Sequence, residues 1–340
     1  MSKATLKSIS EATGFSVTTV SRALAGYNDV NPETRQKIIS EARRQNYEPN
    51  LTAQLLQGQR TQTIGLIAPT FGAGILDLFY SEFTAGVSFQ AAASGYDLML
   101  TTVLDDPDDL APYRRLVTRR RVDGVILART SHQDKRVSYL LDVGFPFVAF
   151  GRTDAHEGYP YIDVDGEEGQ YLITRHFIEQ GYERIAYITP PRGLTFTTHR
   201  TRGFHRAMRE GGVMVDNELV IAGDLSERAG KEITERLLDM PHPPQAILTG
   251  NDLMAYGAMQ AIQERGLLVG DDVAVGGFDN IRSSAFVHPG LTTMHQPIFE
   301  IGQLLTTMLS QIIAGQHPAD SARLLQPELI IRGSSGRRHY

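Results

Sequence analysis

A set of small side chains and one arginine near the start of the chain has the spacing of a single helix edge. On a helix these residues would lie side by side and point away from the apolar residues between them. They are Val17, Thr18, Ser21 and Arg22. An arginine in that position can donate two hydrogen bonds to a guanine in the major groove of DNA. The chemistry that this edge offers is the reading of bases.

Two short helices must position this edge. Leu6, Ile9 and Ala12 share one face of a first helix. Gly14 can adopt the positive φ that ends that helix, and Ser16 is a good N-cap for the next one. The pattern predicts a helix-turn-helix, whose second helix enters the major groove. A generic helical hairpin is the alternative for this stretch taken alone.

A third helix and a short apolar segment follow. Asn31 can cap a helix that has Pro32 at its first position. Arg43 and Arg44 near its end could interact favourably with the helix dipole or contact DNA phosphates. Residues 50–58 favour a helix with one apolar side, but they are too few for a stable helix in water. We expect them to order against a second copy or as a wedge in a DNA minor groove; a plain linker is the alternative.

From Ile64 onward, short apolar runs alternate with stretches of helical spacing. The runs are Ile64–Ala68, Leu98–Val103, Val125–Ala128, Phe147–Phe150, Ile185–Ile188, Ala246–Thr249 and Ala274–Gly277. This alternation predicts an α/β fold with doubly wound parallel sheets covered by helices on both faces. The body is long enough for two such lobes. A ligand would then bind in the cleft between them, beyond the carboxyl ends of the strands.

The loops after these strands contain aromatic, amide, carboxylate and arginine side chains. The candidates for ligand contact are Phe71, Phe79, Tyr80, Arg129, Arg152, Arg200, Asn251 and Asp279. Aromatic faces and bidentate polar groups together suit a polyhydroxylated ligand. Single residues have plainer explanations, since Asp252 is as well placed to cap a helix as to touch a ligand, and Phe71 could belong to the core. The shared position at strand ends favours a binding site.

Composition limits the classes of function. The 340 residues include no cysteine, which excludes disulfide and thiolate chemistry and fits a reducing cytoplasm. We expect neither a membrane span nor a secretory signal, because no sufficiently long apolar run is present. The net charge of −6 opposes nucleic-acid binding, but residues 1–60 carry +3 and the remainder −9. A small basic head on an acidic body suits a DNA-reading module.

Four motifs in residues 5–68 resemble the lactose-repressor (LacI/GalR) family of bacterial regulators. They are Ser16-Val-Thr-Thr-Val-Ser-Arg-Ala-Leu24, Val30-Asn-Pro-Glu-Thr-Arg35, Asn46-Tyr-Glu-Pro-Asn50 and Ile64-Gly-Leu-Ile67. The resemblance implies that Val17, Thr18 and Arg22 read base edges and that Leu56 intercalates at the centre of a palindromic operator. The DNA-binding residues expected on this basis are Ser16, Val17, Thr18, Thr19, Ser21, Arg22, Asn28 and Leu56.

The resemblance continues through the body to about Gly336. Its motifs there are Gly250-Asn-Asp-Leu-Met-Ala-Tyr-Gly-Ala-Met259, Val275-Gly-Gly-Phe-Asp-Asn280 and Pro289-Gly-Leu-Thr-Thr293. The family's body is similar in fold to the periplasmic sugar-binding proteins. On that basis Arg200, Asn251 and Asp279 match positions that hold sugar hydroxyls, and Phe79 and Tyr80 match the wall of the cleft. Arg129 and Arg152 lie on loops that vary within the family.

Two other classes of function compete with a regulator. An enzyme is disfavoured because the chain has no Gly-x-x-x-x-Gly-Lys-Ser/Thr loop, no Gly-x-Ser-x-Gly and no spacing typical of a metal site. A transport binding protein is disfavoured by the helix-turn-helix and by the lack of a signal peptide. We therefore expect a cytoplasmic, dimeric regulator without cofactor or metal. It would act as a repressor that a small sugar releases from operator DNA.

The expected domains follow from these motifs. The head would be residues 1–49, and the hinge helix with its linker would be 50–62. The body would be 63–340. Within the body, lobe 1 would contain residues 63–160 and 292–318, and lobe 2 would contain 161–291 and 319–340.

Overall fold

A computed structural model describes residues 4–25, 27–47, 60–69, 78–103, 110–154 and 158–336. Contacts divide the chain into two units, residues 1–61 and 62–340, which are the head and the body below. The sequence expectations for the hinge segment 50–58, for Leu56 and for Phe71 lie outside the described residues.

The head is a bundle of three helices, α1 (Leu6–Thr13), α2 (Val17–Leu24) and α3 (Pro32–Arg44). Gly14 ends α1 with a φ of 75°, as the helix-turn-helix pattern requires. The helices pack around one apolar core, whose buried residues are Ile9, Val20, Ala23, Val30, Ile38 and Ala42. The predicted helix-turn-helix is therefore present.

The body contains two six-stranded sheets. The strands are β1 (Thr63–Pro69), β2 (Asp97–Val103), β3 (Gly124–Leu127), β4 (Phe147–Phe150), β5 (Tyr161–Val164), β6 (Ile185–Thr189), β7 (Val220–Ala222), β8 (Ala246–Thr249), β9 (Ala274–Asp279), β10 (Thr292–His295), β11 (Ala322–Leu325) and β12 (Glu328–Ile330). The first sheet has the order β11-β5-β4-β3-β1-β2, and the second β12-β10-β9-β8-β6-β7. Only the β10–β12 pairing is antiparallel among the described strands.

Helices cover both faces of each sheet. They are α4 (Leu78–Ala93), α5 (Ala111–Thr118), α6 (Lys135–Asp142), α7 (Gly166–Glu179), α8 (Thr195–Glu210), α9 (Glu227–Leu238), α10 (Asp252–Glu264) and α11 (Ile298–Ile313). All of β3, β6, β8 and β9 is buried, because helices lie above and below these central strands. The predicted two-lobed α/β body is confirmed.

The lobe boundaries differ from those expected from the sequence. β5 pairs with β4 and therefore belongs to lobe 1, although residues from 161 onward were expected in lobe 2. β10 pairs with β9 in lobe 2, and β11 pairs with β5 in lobe 1, each the reverse of the expectation. Strand pairing decides these assignments, so the chain crosses between the lobes after β5, after β10 and after β11.

Candidate functional site

The outer edge of α2 is the first candidate surface. Val17 is 44% exposed, and Thr18 and Arg22 are also exposed. Ser16 caps the helix by accepting a hydrogen bond from the Thr19 backbone N–H at 3.1 Å. An apolar side chain that stays this exposed at the start of a capped helix is available to contact a base.

The remaining expected DNA contacts differ in exposure. Thr19 and Ser21 are half-buried, whereas Asn28 on the following turn is exposed. The hydroxyls of Ser16 and Thr19 lie 2.8 Å apart, so each already has a partner. The whole set except Leu56 thus lies on α2 or on the turn after it.

Arg22 is held by two residues that sequence reasoning missed. Its Nε donates to Asp29 Oδ1 at 3.3 Å, and its Nη2 donates to Asp29 Oδ2. The guanidinium carbon lies 4.6 Å from the ring centroid of Tyr27. The available signal was an acid seven residues after an arginine that is expected to read bases. The pair fixes the plane of the Arg22 fork before any partner arrives.

The second candidate is the cleft between the two lobes, and Arg200 is its most buried cation. Arg200 Nη1 donates to the Gly250 carbonyl at 2.5 Å. Its guanidinium carbon lies 3.5 Å from the centroid of Phe278 and 4.9 Å from that of Phe196. Burial lowers the pKa of Arg200, the nearby Asp279 carboxylate opposing that shift. Its Nε has no hydrogen-bond partner within the described residues.

Asp279 ends β9 beside this arginine. Its Oδ1 lies 4.0 Å from Arg200 Nη2 and accepts a hydrogen bond from Gln296 Nε2 at 2.6 Å. Its φ of 118° is in the left-handed region, which costs a non-glycine residue roughly 1–3 kcal/mol. Backbone strain of this size at a cleft wall is typical of a functional position.

Asn251, rather than Asp252, caps a helix. Its side chain accepts from the Met254 N–H and donates to the Leu225 carbonyl, both at 3.0 Å, while lining the cleft. Asp252 lies deeper and accepts from Ser284 Oγ and Thr293 Oγ1, both at 2.5 Å. Burial raises the pKa of Asp252 to about 6. Asp252 is therefore neither the N-cap nor a residue that lines the cleft, and its carboxylate joins the segment after β9 to β10.

Aromatic rings form the opposite wall, in lobe 1. Phe79 stacks on Phe150 with centroids 5.9 Å apart, and both line the cleft. Tyr80 is buried beside Phe79, and the guanidinium carbon of Arg129 lies 4.8 Å from its centroid. Arg129 also lines the cleft. Tyr80 itself does not line the cleft, contrary to the sequence expectation, but it contacts Phe79 and Arg129, which do.

Arg152 does not line the cleft, contrary to the sequence expectation. Its Nε donates to Asp163 Oδ2 at 2.7 Å, and Asp163 is the residue that lines the cleft. Burial raises the pKa of Asp163, with Arg152 acting against that shift. Asp163 lies on β5, a strand missed from the sequence, so nothing marked it in advance.

Direct hydrogen bonds join the lobes at the cleft. The hydroxyls of Thr130 in lobe 1 and Thr195 in lobe 2 lie 2.8 Å apart. The Thr195 backbone N–H donates to the Thr130 carbonyl at 3.0 Å. His132 Nε2 lies 2.7 Å from Thr198 Oγ1. These contacts, also missed from the sequence, hold the two walls against each other.

The described part of the chain offers neither a cluster of metal ligands nor a helix able to cross a bilayer. Within it, the chemistry of the cleft is that of aromatic rings, amides and two charges of each sign.

Family comparisons agree with this division into a head and a body. A family model described as bacterial regulatory proteins of the lacI family matches residues 5–50, and one described as a periplasmic binding protein-like domain matches residues 174–335. The HTH-type transcriptional regulator AglR of Rhizobium meliloti (strain 1021) is 35% identical over 337 residues, which cover 97% of this chain and 94% of that one.

Two solved structures extend the comparison. A lac repressor dimer bound to operator and the anti-inducer ONPF has a TM-score of 0.85 and 27% identity, covering 99% of this chain and 100% of that one. The complex of the transcriptional regulator CelR with cellobiose has a TM-score of 0.75 and 26% identity, covering 98% and 100%. The chain belongs to the LacI family of bacterial regulatory proteins and is a DNA-binding transcription regulator with a two-lobed body.

Proposed function

We propose that the chain is a cytoplasmic, homodimeric repressor whose two heads hold a palindromic operator and whose cleft binds a small neutral carbohydrate that releases the DNA. The observation that carries this proposal is the cleft itself. It brings Arg200 of α8, Asn251 at the start of α10 and Asp279 at the end of β9 to one place opposite the Phe79–Phe150 wall. The chain would act by binding, as its relatives are transcription regulators.

The charge of the cleft favours a neutral ligand. Arg129 and Arg200 are balanced by Asp163 and Asp279 among the lining residues. An anionic ligand would meet two carboxylates, and a cationic ligand would meet two arginines. Sugar hydroxyls can accept from a guanidinium and donate to a carboxylate, so they match both signs at once.

The wall of lobe 1 suits the apolar face of a sugar ring. Phe79 and Phe150 are stacked and therefore present a continuous aromatic surface. Polar groups lie on the opposite side, mostly on lobe 2. A pyranose ring has C–H groups on its faces and hydroxyls at its edge, which fits one aromatic and one polar wall. That a structural neighbour holds cellobiose supports this class of ligand.

Coupling to DNA would follow from movement of the lobes. A ligand that contacts Phe79 on one side and Arg200 on the other favours the state in which both walls are close. If that state holds the two hinge segments of a dimer at a spacing that DNA does not accept, the ligand shifts the population towards free protein. A preference of a few kcal/mol between the two states is sufficient.

Thermal unfolding with a panel of mono- and disaccharides tests the ligand class. We expect one of them to raise the melting temperature, because a ligand that binds the folded state stabilises it. The same sugar should release a duplex that the parent protein has selected from a random library, measured by gel shift.

Two variants on one helix separate the cleft from the rest of the body. Arg200→Met should retain operator binding but lose both the thermal shift and the release. Arg206→Met, on the outer side of α8 where Arg206 pairs with Glu167 and Glu168, should keep both responses. A parental response in Arg200→Met would place the effector outside this cleft.

A further inference from the structure

Three consecutive arginines, Arg119–Arg121, follow α5 and are called the arginine turn below. All three side chains are exposed. None of them has an ion pair or side-chain hydrogen bond with any residue that the structure describes. The body around them is acidic, since the chain after residue 60 carries a net charge of −9. Three adjacent cations repel each other, so the fold alone does not account for this cluster.

The backbone of the arginine turn is strained at its centre. The Arg120 N–H donates to the Val117 carbonyl and the Arg121 N–H to the Leu116 carbonyl, which is a Schellman ending. Arg120 occupies the left-handed position of this motif with a φ of 46°. A residue with a Cβ is less stable there than glycine.

Other helices of the body show what this position normally contains. Six of them end with the same pair of hydrogen bonds and a glycine at the left-handed position. These glycines are Gly95, Gly144, Gly181, Gly212, Gly266 and Gly315. Arg120 replaces that glycine at the end of α5. An arginine kept where glycine fits better points to a role for the side chain.

The arginine turn lies beside the amino-terminal ends of β3 and β1, where the chain from the head enters the body. The Asp123 N–H, two residues after Arg121, donates to the Thr63 carbonyl at 2.8 Å. Asp123 Oδ2 accepts from the Gln62 N–H at 2.7 Å. The turn is therefore fixed beside the first residues of the body, the ones tethered to the DNA-binding head.

We propose that the arginine turn binds phosphates of DNA that the head has engaged, giving the body a second, sequence-independent contact with the duplex. Phosphate oxygens accept bidentate hydrogen bonds from arginine, and a run of like charges matches the regular spacing of a phosphate backbone. The proposal rests on DNA binding by the family and assigns the body a part in it.

The salt dependence of binding measures such contacts directly. The probe is a duplex of about 40 base pairs that the parent protein has selected from a random library. Its dissociation constant is measured by fluorescence anisotropy as KCl is raised. The variant Arg119→Gln/Arg120→Gln/Arg121→Gln should show a plot of log affinity against log salt that is shallower by about 0.9 per lost phosphate contact. We expect at least a tenfold loss of affinity at low salt, equal for selected and unrelated sequences.

A matched variant controls for total charge. Arg192→Gln/Arg202→Gln/Arg282→Gln removes three exposed arginines from lobe 2, none of them ion-paired with a described residue. It should keep the parental salt slope. If both triple variants bind DNA alike, the proposal is overturned, as it also is if the arginine turn captures only an acidic protein partner and leaves DNA affinity unchanged.

Arg120→Gly separates binding from folding. Glycine relieves the strained φ, so the melting temperature should stay equal or rise. The slope of log affinity against log salt should become shallower by about 0.9, the value for one phosphate contact. A lower melting temperature would instead make Arg120 a structural residue. An unchanged slope would remove Arg120 from the contact. Binding of the parent protein to its selected duplex tests DNA binding by the head separately from the role of the arginine turn.

Discussion

Arg22 in the head and Arg200 in the body carry the same guanidinium group in opposite surroundings. Arg22 is exposed, and two of its nitrogens donate hydrogen bonds to the Asp29 carboxylate. Arg200 is buried between two aromatic rings, donates one close hydrogen bond to a carbonyl and lies 4.0 Å from its carboxylate. The exposed arginine is the better paired of the two.

The difference fits the partners proposed for the two side chains, DNA for Arg22 and a neutral ligand for Arg200. The high negative charge of DNA already attracts an exposed guanidinium, so orientation of the Arg22 side chain matters more for binding than hydrogen-bond donors without partners. A neutral ligand brings only hydroxyls, and a buried donor with few partners gains most from them. Water solvates Arg22, so its replacement should change the free energy of unfolding little. Arg200 is buried, so its replacement should lower the free energy of unfolding strongly. The predictions below test this contrast in order of decreasing effect.

The largest effect is expected at the buried pair. Arg200→Met leaves Asp279 in the cleft without its cation and should lower the free energy of unfolding by about 3 kcal/mol, near the lower end for a broken buried pair. Urea unfolding followed by circular dichroism measures this loss. Adding Asp279→Asn should recover most of it, because the double variant buries no unmatched charge. Equal stability of the single and double variants would show that the two side chains are not coupled.

How far the sequence could anticipate this site depends on burial and spacing. Apolar runs predicted seven of the twelve described strands, β1–β4, β6, β8 and β9, because strands buried on both faces tend to be continuously apolar in sequence. β7, β11 and β12 are short edge strands with half-exposed residues. They lack such a run, and so do the interior strands β5 and β10, in which polar residues interrupt the apolar ones. The missed strands β5, β10 and β11 led to the wrong lobe boundaries.

Side-chain roles were less accessible than elements. The family resemblance pointed to Arg200 and Asp279. Whether Arg152 or Asp163 faces the cleft depends on the path of the loop after β4 and on which side of β5 the Asp163 side chain takes. Asn251 and Asp252 are neighbours, and only the first turn of α10 decides which of them caps it. Contacts such as Thr130–Thr195 join residues 65 apart that no local pattern connects.

In the head, removal of the exposed arginine should affect DNA alone. Arg22→Ala should weaken operator binding by about 1–3 kcal/mol and relax the preference at one base pair of each half-site. The stability of the head should change little, because an exposed ion pair contributes at most about 1 kcal/mol. Gel shifts with single-base operator variants measure the preference. An equal loss on operator and random DNA would identify Arg22 as a phosphate contact.

The bonds across the cleft should have a smaller effect, confined to the ligand. Thr195→Val keeps the shape of the side chain and removes the hydroxyl, which bonds both the hydroxyl and the carbonyl of Thr130, while the backbone hydrogen bond remains. The two lost hydrogen bonds contribute about 0.5–1 kcal/mol each, so affinity for the effector sugar should fall roughly fivefold to thirtyfold. Calorimetric titration with the sugar from the thermal screen measures it. Thr201→Val, on the same helix but bonded within it to the Thr197 carbonyl, is the control. Equal affinities in the two variants would show that the cross-cleft bond does not favour the bound state.

The smallest effect is expected at Asp29, and its direction distinguishes orientation from simple charge. If Asp29 only added negative charge near DNA, Asp29→Asn would improve binding to every sequence alike, because one source of phosphate repulsion is gone. If Asp29 instead orients the Arg22 fork, the same variant gains affinity for random DNA but not for operator. The ratio of the affinity for operator to the affinity for random DNA should then fall roughly fivefold, which corresponds to about 1 kcal/mol. The reason is that a loose arginine side chain must be ordered on binding. The ratio should no longer change when Arg22→Ala is added, because both substitutions remove the same oriented contact. Independent, additive losses in the double variant would mean that the Arg22–Asp29 pair has no part in base selection.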